Sequence, residues 1–259
     1  MSELDEATRD ALAELLLAMA DDEFVLGFWD SEWTGIAPIL EEDVAMSSVS
    51  QDEIGHARAW YELLAELRGD DADRIAFGRA APEYRHAALM NHPRTDWAFT
   101  IARRYLYETA DAVRLESLAG SAHQPLAGLA VKMRREETYH LLHFDLWLRR
   151  LAEGGSDSHR RLADALQRLW PDAQTVFAAL AGEARLLDSR ILPESLETLR
   201  ARWLDRVVPR LAQLGLPVPS ASQRAAAPSG EARRRRTADF EWLHGEFTMV
   251  ARSDAGATW

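Results

Sequence analysis

Two Glu-x-x-His motifs, Glu53-Ile-Gly-His56 and Glu137-Thr-Tyr-His140, are the residues of this sequence most suited to chemistry. Residues three apart on a helix lie on one face, so each motif can offer a carboxylate oxygen and an imidazole nitrogen to the same ion. Such donors suit divalent iron or manganese. In helical bundles, two of these motifs and one further Glu from each of two other helices bind a pair of metal ions. The two motifs therefore predict a di-metal site.

Each motif needs one more carboxylate from the helix that precedes it. We predict Glu32, 21 residues before Glu53, and Glu108, 29 residues before Glu137, because both intervals suit an antiparallel helix pair. Four carboxylates would balance the charge of two divalent ions, and we predict no catalytic residue beyond the ligands. The predicted ligands are Glu32, Glu53, His56, Glu108, Glu137 and His140. The alternatives to Glu32 are Glu23, Glu41 and Glu42.

Three acids close to the predicted ligands, Asp52, Asp111 and Glu136, are candidates for a supporting role. A metal-bound histidine usually donates its second ring N–H to a carboxylate, and these acids could accept such a bond. Each of them could equally be a solvated acid on a helix surface.

The motif occurs twice more, at Glu83-Tyr-Arg-His86 and Glu241-Trp-Leu-His244. The first follows Pro82 in an irregular stretch, and neither has a companion helix that supplies an unpaired Glu. We interpret both as ordinary surface pairs or loop residues.

The elements that must position these residues have the sequence pattern of helices. Apolar residues recur at helical spacing in about residues 3–35, 39–67, 95–118, 123–151, 156–180 and 193–214, with a short final element near 240–250. Gly69 is an expected helix stop. Sustained apolar/polar alternation is absent, so strands have no candidate. The sequence predicts an all-α bundle of long antiparallel helices with additional C-terminal helices.

We predict a single domain. Residues 1–216 form the helical bundle, and residues 217–237, which contain three Pro and an Arg cluster, form a flexible linker. Residues 238–259 are then a C-terminal element of the same domain.

Composition narrows the functional classes. The chain has 259 residues, of which 47% are apolar and 28% charged, and this balance is typical of a globular protein. The absence of cysteine excludes thiolate chemistry and leaves His and carboxylates as metal ligands. The net charge of −12 disfavours nucleic acid as a partner. The sequence contains no long apolar run and no leader pattern, so we expect a cytoplasmic protein that does not bind membranes.

Several motifs together resemble a known family. They are Ser31-Glu-Trp-Thr-Gly-Ile-Ala-Pro38, Leu40-Glu-Glu-Asp-Val-Ala45, Asp52-Glu-Ile-Gly-His-Ala-Arg58, Ile101-Ala-Arg-Arg-Tyr105, Glu136-Glu-Thr-Tyr-His140 and the C-terminal Trp259. This combination resembles the A and C subunits of phenylacetyl-CoA epoxidase, the ring 1,2-epoxidase of phenylacetate degradation. The sequence of these motifs is most similar to that of the C subunit. The resemblance covers about residues 20–209.

The resemblance implies a ferritin-like bundle that is part of a di-iron monooxygenase in aerobic phenylacetate catabolism. It also implies two iron (or manganese) ions, an acyl-CoA substrate and electrons from a separate NADPH-dependent reductase. The implied partners are a paralogous oxygenase subunit and small subunits of a heteromeric complex; a homodimer is the alternative.

Three functions are open for this chain. One of them, a ferritin-like oxidase or iron-handling protein, would bind iron but not an acyl-CoA; the other two follow from the family pattern. In that family, the A subunit carries the di-iron centre and binds the CoA ester, whereas the C subunit is a structural paralogue with a degraded ligand set. Here all six predicted ligand positions hold residues able to bind iron. We therefore expect a subunit with an intact di-metal site; the alternative is a non-catalytic subunit that stabilises a catalytic paralogue.

Overall fold

The structure, a computed structural model, describes residues 4–254, so Trp259 and the end of the predicted 238–259 element lie outside the described residues. Within residues 4–254 the chain forms ten α-helices and no strand, which confirms the all-α prediction. The helices are α1 (Glu6–Ser31), α2 (Leu40–Arg68), α3 (Ala72–Phe77), α4 (Trp97–Leu118), α5 (Gln124–Glu153), α6 (Ser156–Ala173), α7 (Glu183–Asp188), α8 (Leu196–Gln213), α9 (Ala221–Ala225) and α10 (Ala238–Ser253).

The described chain divides into two compact units. The first contains the residues up to Pro93 together with those from Arg233 onwards, and the second contains residues 94–232. The segment 217–237, predicted as a flexible linker, includes α9 and ends inside the first unit. No helix among residues 4–254 combines the length and the apolar character needed to cross a membrane.

The first unit is built on the antiparallel pair α1 and α2. Asp5 caps α1 by accepting a hydrogen bond from the backbone N–H of Thr8, and α2 ends at Gly69 in the left-handed conformation, as expected for a helix stop. The two helices approach closely at Gly27. A Cβ at this position would lie 2.9 Å from Ile54 Cγ1 and 3.1 Å from the carbonyl oxygen of Ser50.

Two buried aspartates on α1 hold separate stretches of the first unit together. Asp21 accepts hydrogen bonds from the hydroxyl of Tyr61 on α2 (2.5 Å) and from the guanidinium of Arg79 (2.5 and 2.9 Å). Asp22 accepts hydrogen bonds from the backbone N–H of Ala87 (2.6 Å) and from Arg233 (3.0 and 3.1 Å). Burial and the charge of Asp21 raise the pKa of Tyr61 well above its usual value.

The two additional Glu-x-x-His motifs supply buried histidines to the first unit, which corrects our interpretation of them as surface pairs. His86 lies in a loop, as we interpreted it, and Glu83 and Glu241 are exposed. His86 contacts Asn91 through Nε2 (3.0 Å), and His244 Nε2 lies 2.9 Å from the carbonyl oxygen of Arg79. The Asn91 amide also donates to the carbonyl oxygen of Arg235, so its own oxygen faces His86 and accepts from Nε2. Both histidines therefore contribute to packing and hydrogen bonding within the first unit.

The second unit is arranged around α4, which is buried along almost its whole length. Helices α5, α6 and α8 pack against it. Trp203 of α8 donates from its indole N–H to the carbonyl oxygen of Leu106 (3.2 Å) and stacks on Trp170 of α6. Arg210 of α8 forms a two-bond ion pair with Asp145 of α5 (2.6 and 2.7 Å). These contacts hold α8 against its neighbours α4, α5 and α6.

The contact at Gly27 yields a paired prediction. Gly27→Ala is expected to lower the free energy of unfolding by about 1 kcal/mol, because overpacking outweighs the gain in helix propensity. Gly55→Ala on α2 is the matched control: its Cβ would meet open space, so the same substitution should raise stability by about 0.5–1 kcal/mol. Urea unfolding of both variants measures the difference, and equal shifts would contradict the close approach of α1 and α2.

The environment of His86 predicts a pH dependence of stability. Burial, together with the positive charges of Arg236 and Arg233, lowers the pKa of His86 well below its usual value, and Nδ1 has no hydrogen-bond partner within the described chain. The unfolded chain binds a proton near pH 6.5 that the folded chain rejects. The free energy of unfolding should therefore fall below about pH 6.5, by up to about 1.4 kcal/mol per pH unit.

The measurement is urea unfolding between about pH 7.5 and 5.5 for the native chain and for His86→Gln, which keeps a donor toward Asn91. The variant should lose less stability on acidification. Part of the slope should remain, because burial also lowers the pKa of His244. Identical slopes for the two proteins would show that His86 is not the titrating group.

Candidate metal centre

The second unit brings three of the predicted ligands together. Glu108 on α4 and Glu137 and His140 on α5 are buried, and each offers a ligand atom within 4.8 Å of the others. His140 Nδ1 lies 3.3 Å from a carboxylate oxygen of Glu137, its partner three residues earlier. The antiparallel packing of α4 and α5, with Arg104 beside Phe144, places this turn of α5 opposite Glu108.

A buried arginine adjoins this cluster. Arg104 lies one turn before Glu108 on α4, pairs with its carboxylate and places its guanidinium 4.7 Å from the centre of the Phe144 ring. Both members of the ion pair have no solvent exposure. Arg104 was not among the site residues predicted from the sequence, although the spacing of four residues between an Arg and a Glu was a signal for an ion pair.

The other motif lies in the first unit. Glu53 and His56 are buried on α2, and a Cβ on Gly27 would lie 3.2 Å from Cβ of Glu53, so this part of α2 faces α1. On the same helix, the indole N–H of Trp60 donates to the carboxylate of Glu23 on α1 (3.2 Å). The motif therefore lies at the α1–α2 contact, inside the first unit.

The acids proposed for the first carboxylate differ in position. Glu32 follows the last residue of α1 and is half-buried, whereas Glu23 is buried within the helix. Glu23 precedes Glu53 by 30 residues, close to the 29 residues between Glu108 and Glu137. Of the other two alternatives, Glu41 is exposed and Glu42 is buried in the first turn of α2. Glu23 is therefore the most deeply buried of the four acids, and its spacing to Glu53 is the most similar to that of Glu108 and Glu137.

The three acids predicted to support the histidines have different environments. Asp111 is buried and accepts two hydrogen bonds from Arg114 on the same helix (2.7 and 3.1 Å). Asp52 is half-buried on α2, and Glu136 is exposed on α5. A role for them beside a metal-bound imidazole remains a prediction.

The chemistry of the donor set fits the predicted metals. Buried carboxylates and imidazoles are the ligands of non-haem iron and manganese sites, and the described residues hold a group of these donors able to bind an ion. Inward-facing Glu and Glu-x-x-His residues on long helices are also the arrangement of ferritin-like carboxylate proteins. Fold and site thus define a ferritin-like helical bundle with a candidate metal cluster in its interior.

Comparison with known proteins identifies the family. The model of the family described as phenylacetic acid catabolic protein matches residues 1–259, and the chain belongs to this family. It is 30% identical to the C subunit of 1,2-phenylacetyl-CoA epoxidase from Escherichia coli (strain K12), over 96% of this chain and 99% of that protein. It is 27% identical to the A subunit from the same organism, over 95% of this chain and 79% of that protein. The resemblance inferred from the sequence motifs is confirmed.

The buried pair of Arg104 and Glu108 predicts a strong response to substitution. Arg104→Met should lower the free energy of unfolding of the metal-free protein by about 3 kcal/mol or more, because it leaves a buried carboxylate without its cation. Arg58→Met is the matched control, since Arg58 forms an exposed pair of the same spacing with Glu62 and should change stability by less than about 0.5 kcal/mol. Urea unfolding in the presence of a chelator provides the comparison. Similar losses in the two variants would contradict the buried ion pair.

Proposed function

We propose that this chain is a component of a multisubunit di-iron oxygenase that acts on an aromatic acyl-CoA, of the phenylacetyl-CoA type, in phenylacetate catabolism. The observation that carries the proposal is the set of buried donors Glu53, Glu108, Glu137 and His140 in a chain of this family. Each buried carboxylate must be compensated by a cation or by hydrogen bonds, and a bound metal ion is one such cation.

The proposed ligands come from four helices. Glu53 and His56 of α2, and Glu137 and His140 of α5, supply the two motifs, while Glu108 of α4 supplies a carboxylate. Glu32 was predicted from the sequence as the remaining ligand; the burial and spacing of Glu23, on α1, make Glu23 the stronger candidate.

The carboxylates, the imidazoles and the surrounding helices would have different roles in such a centre. The carboxylates would neutralise the charge of two divalent ions, and the imidazoles would fix the position of these ions. The surrounding helices keep bulk water away from the donors, which strengthens each electrostatic interaction. Bound iron would supply the activation of dioxygen, with electrons from a separate NADPH-dependent reductase.

The second candidate function is that of a structural component which stabilises a catalytic paralogue. One observation favours it: the guanidinium of Arg104 already balances the charge of Glu108 without a metal. Both candidates place the chain in a heteromeric complex with a paralogue and further small subunits, and they differ in whether this chain binds iron.

Metal content is the first test. The native chain, loaded anaerobically with Fe(II) and desalted, should retain close to two irons by mass spectrometry, and Glu53→Gln/Glu137→Gln should lose them. Glu116→Gln is the control, because Glu116 lies on α4 but pairs with Arg202 and Arg206 away from the donors. Separate Glu23→Gln and Glu32→Gln variants identify the first carboxylate. Absence of iron from the native chain would contradict the di-iron proposal.

Turnover by the assembled complex is the second test. A complex reconstituted with the paralogous subunits, the reductase and NADPH should convert phenylacetyl-CoA, and the Glu53→Gln/Glu137→Gln chain should lower the rate by about 100-fold or more, in line with the loss of essential groups. An unchanged rate with the double variant would assign the chemistry to the paralogue and leave this chain a structural role.

A further inference from the structure

The helix that carries Glu137 and His140 has a second face made of exposed apolar side chains. Val131, Tyr139, Leu142 and Leu146 of α5 are between 38% and 73% exposed. We call these four residues, with the cations that border them, the outer face of α5. Contiguous exposed apolar residues on a helix commonly mark a protein contact.

The outer face is the side of α5 opposite its buried donors. At about 100° per residue, the four apolar side chains fall within an arc of about 80° on the helical wheel. Glu137, His140 and Phe144, which are buried, lie on the other side of the helix. From Val131 to Leu146 the face extends about 22 Å along the helix axis. Both sides of α5 are therefore suited to burial, but the described chain covers only one of them.

The outer face is basic, although the chain as a whole carries a net charge of −12. Five exposed cations lie on it or beside it: Lys132, Arg134 and Arg135 between Val131 and Tyr139, and Arg149 and Arg150 after Leu146. The exposed acids of α5 are Glu136 and Glu153. Asp145 is engaged with Arg210 of α8. The charge around the apolar stripe is thus opposite to the net charge of the molecule.

This charge distribution decides the kind of partner. In an antiparallel pairing of two copies of α5 with the apolar stripes in register, Lys132 of one copy would lie about one helical turn from Arg149 of the other. A parallel pairing would place each cation against itself. Like charges brought together at an interface oppose association, whereas acids on the partner would favour it. The complementary surface is an amphipathic helix with apolar residues at three- and four-residue spacing and acids on both flanks.

We propose that the outer face of α5 binds such an acidic amphipathic helix on the paralogous subunit of the oxygenase complex. The proposal rests on the proposed function, which places this chain in a complex with its paralogue. The two relatives described above are both named as subunits of 1,2-phenylacetyl-CoA epoxidase. The docked helix would cover α5 on the side away from Glu137 and His140.

The test measures binding of the full-length chain to the A-type paralogue encoded in the same genome, by biolayer interferometry at low and high salt. Leu142→Asp/Leu146→Asp alters the apolar stripe, and Arg135→Glu/Arg149→Glu reverses its flanking charge. Leu40→Asp/Val44→Asp is the matched control, because these α2 residues are 75% and 65% exposed. Circular dichroism and thermal unfolding verify that all variants fold.

The proposal expects both α5 variants to bind the paralogue about 10-fold more weakly or worse, in the range of a central apolar contact. The α2 control should change affinity less than about two-fold, and charge reversal should remove the weakening by salt. Equal binding by all variants, or equal loss in the α2 control, would overturn the outer face as the docking site and leave the proposed function standing.

Two further outcomes would also overturn the proposal. If the native chain does not bind the paralogue, both this surface and the partner of the proposed function are wrong, and the iron content still tests the metal centre separately. If light scattering finds that the native chain is a dimer and that Leu142→Asp/Leu146→Asp is a monomer, the face binds a second copy of the chain instead.

Discussion

Compensation of buried carboxylates is the constraint on which this structure depends. Asp21 and Asp22 follow one another on α1, inside the first unit, where an unpaired carboxylate would be unstable. Their partners come from distant parts of the sequence: Tyr61, Arg79 and Arg233. Because the two aspartates need these partners, the chain after residue 232 returns to the first unit. Removal of one partner would leave a buried charge, which is costlier than the net stability that the pair contributes.

The same rule governs the candidate metal centre. Glu108 is as deeply buried as Asp21, and the cation that balances it is Arg104 from the preceding helical turn. A divalent ion would compensate the same carboxylate in a different way, with an imidazole and further carboxylates as co-ligands. Arg104 therefore allows Glu108 to stay charged while buried, before any metal ion binds. The two proposed functions differ in which of these cations Glu108 finally binds.

The helices and the two ligand motifs could be predicted because their signals are local. Helical periodicity and the stop at Gly69 depend on residues close in sequence, and Glu137 and His140 share a helix face by spacing alone. The first carboxylate was harder to predict, because the difference in burial between Glu23, inside α1, and Glu32, after its last residue, is set by the folded structure. The burial of His86 and His244 was missed because it depends on segments that meet only in the folded first unit. Partners of Asp22 could not be predicted at all, because Arg233 is more than two hundred residues away.

Helix α5 has one face buried in the protein and one face exposed to solvent. The inner face holds the donors Glu137 and His140, whose distance from Glu108 depends on the position of α5 against α4. The outer face carries Tyr139 and Leu142, which alternate with those donors along the same turns. A partner that covers the outer face would restrain the helix that supplies the ligands, since a packed helix moves as a rigid element. In a heteromeric oxygenase of this family, assembly and the geometry of the metal site would then depend on the same helix.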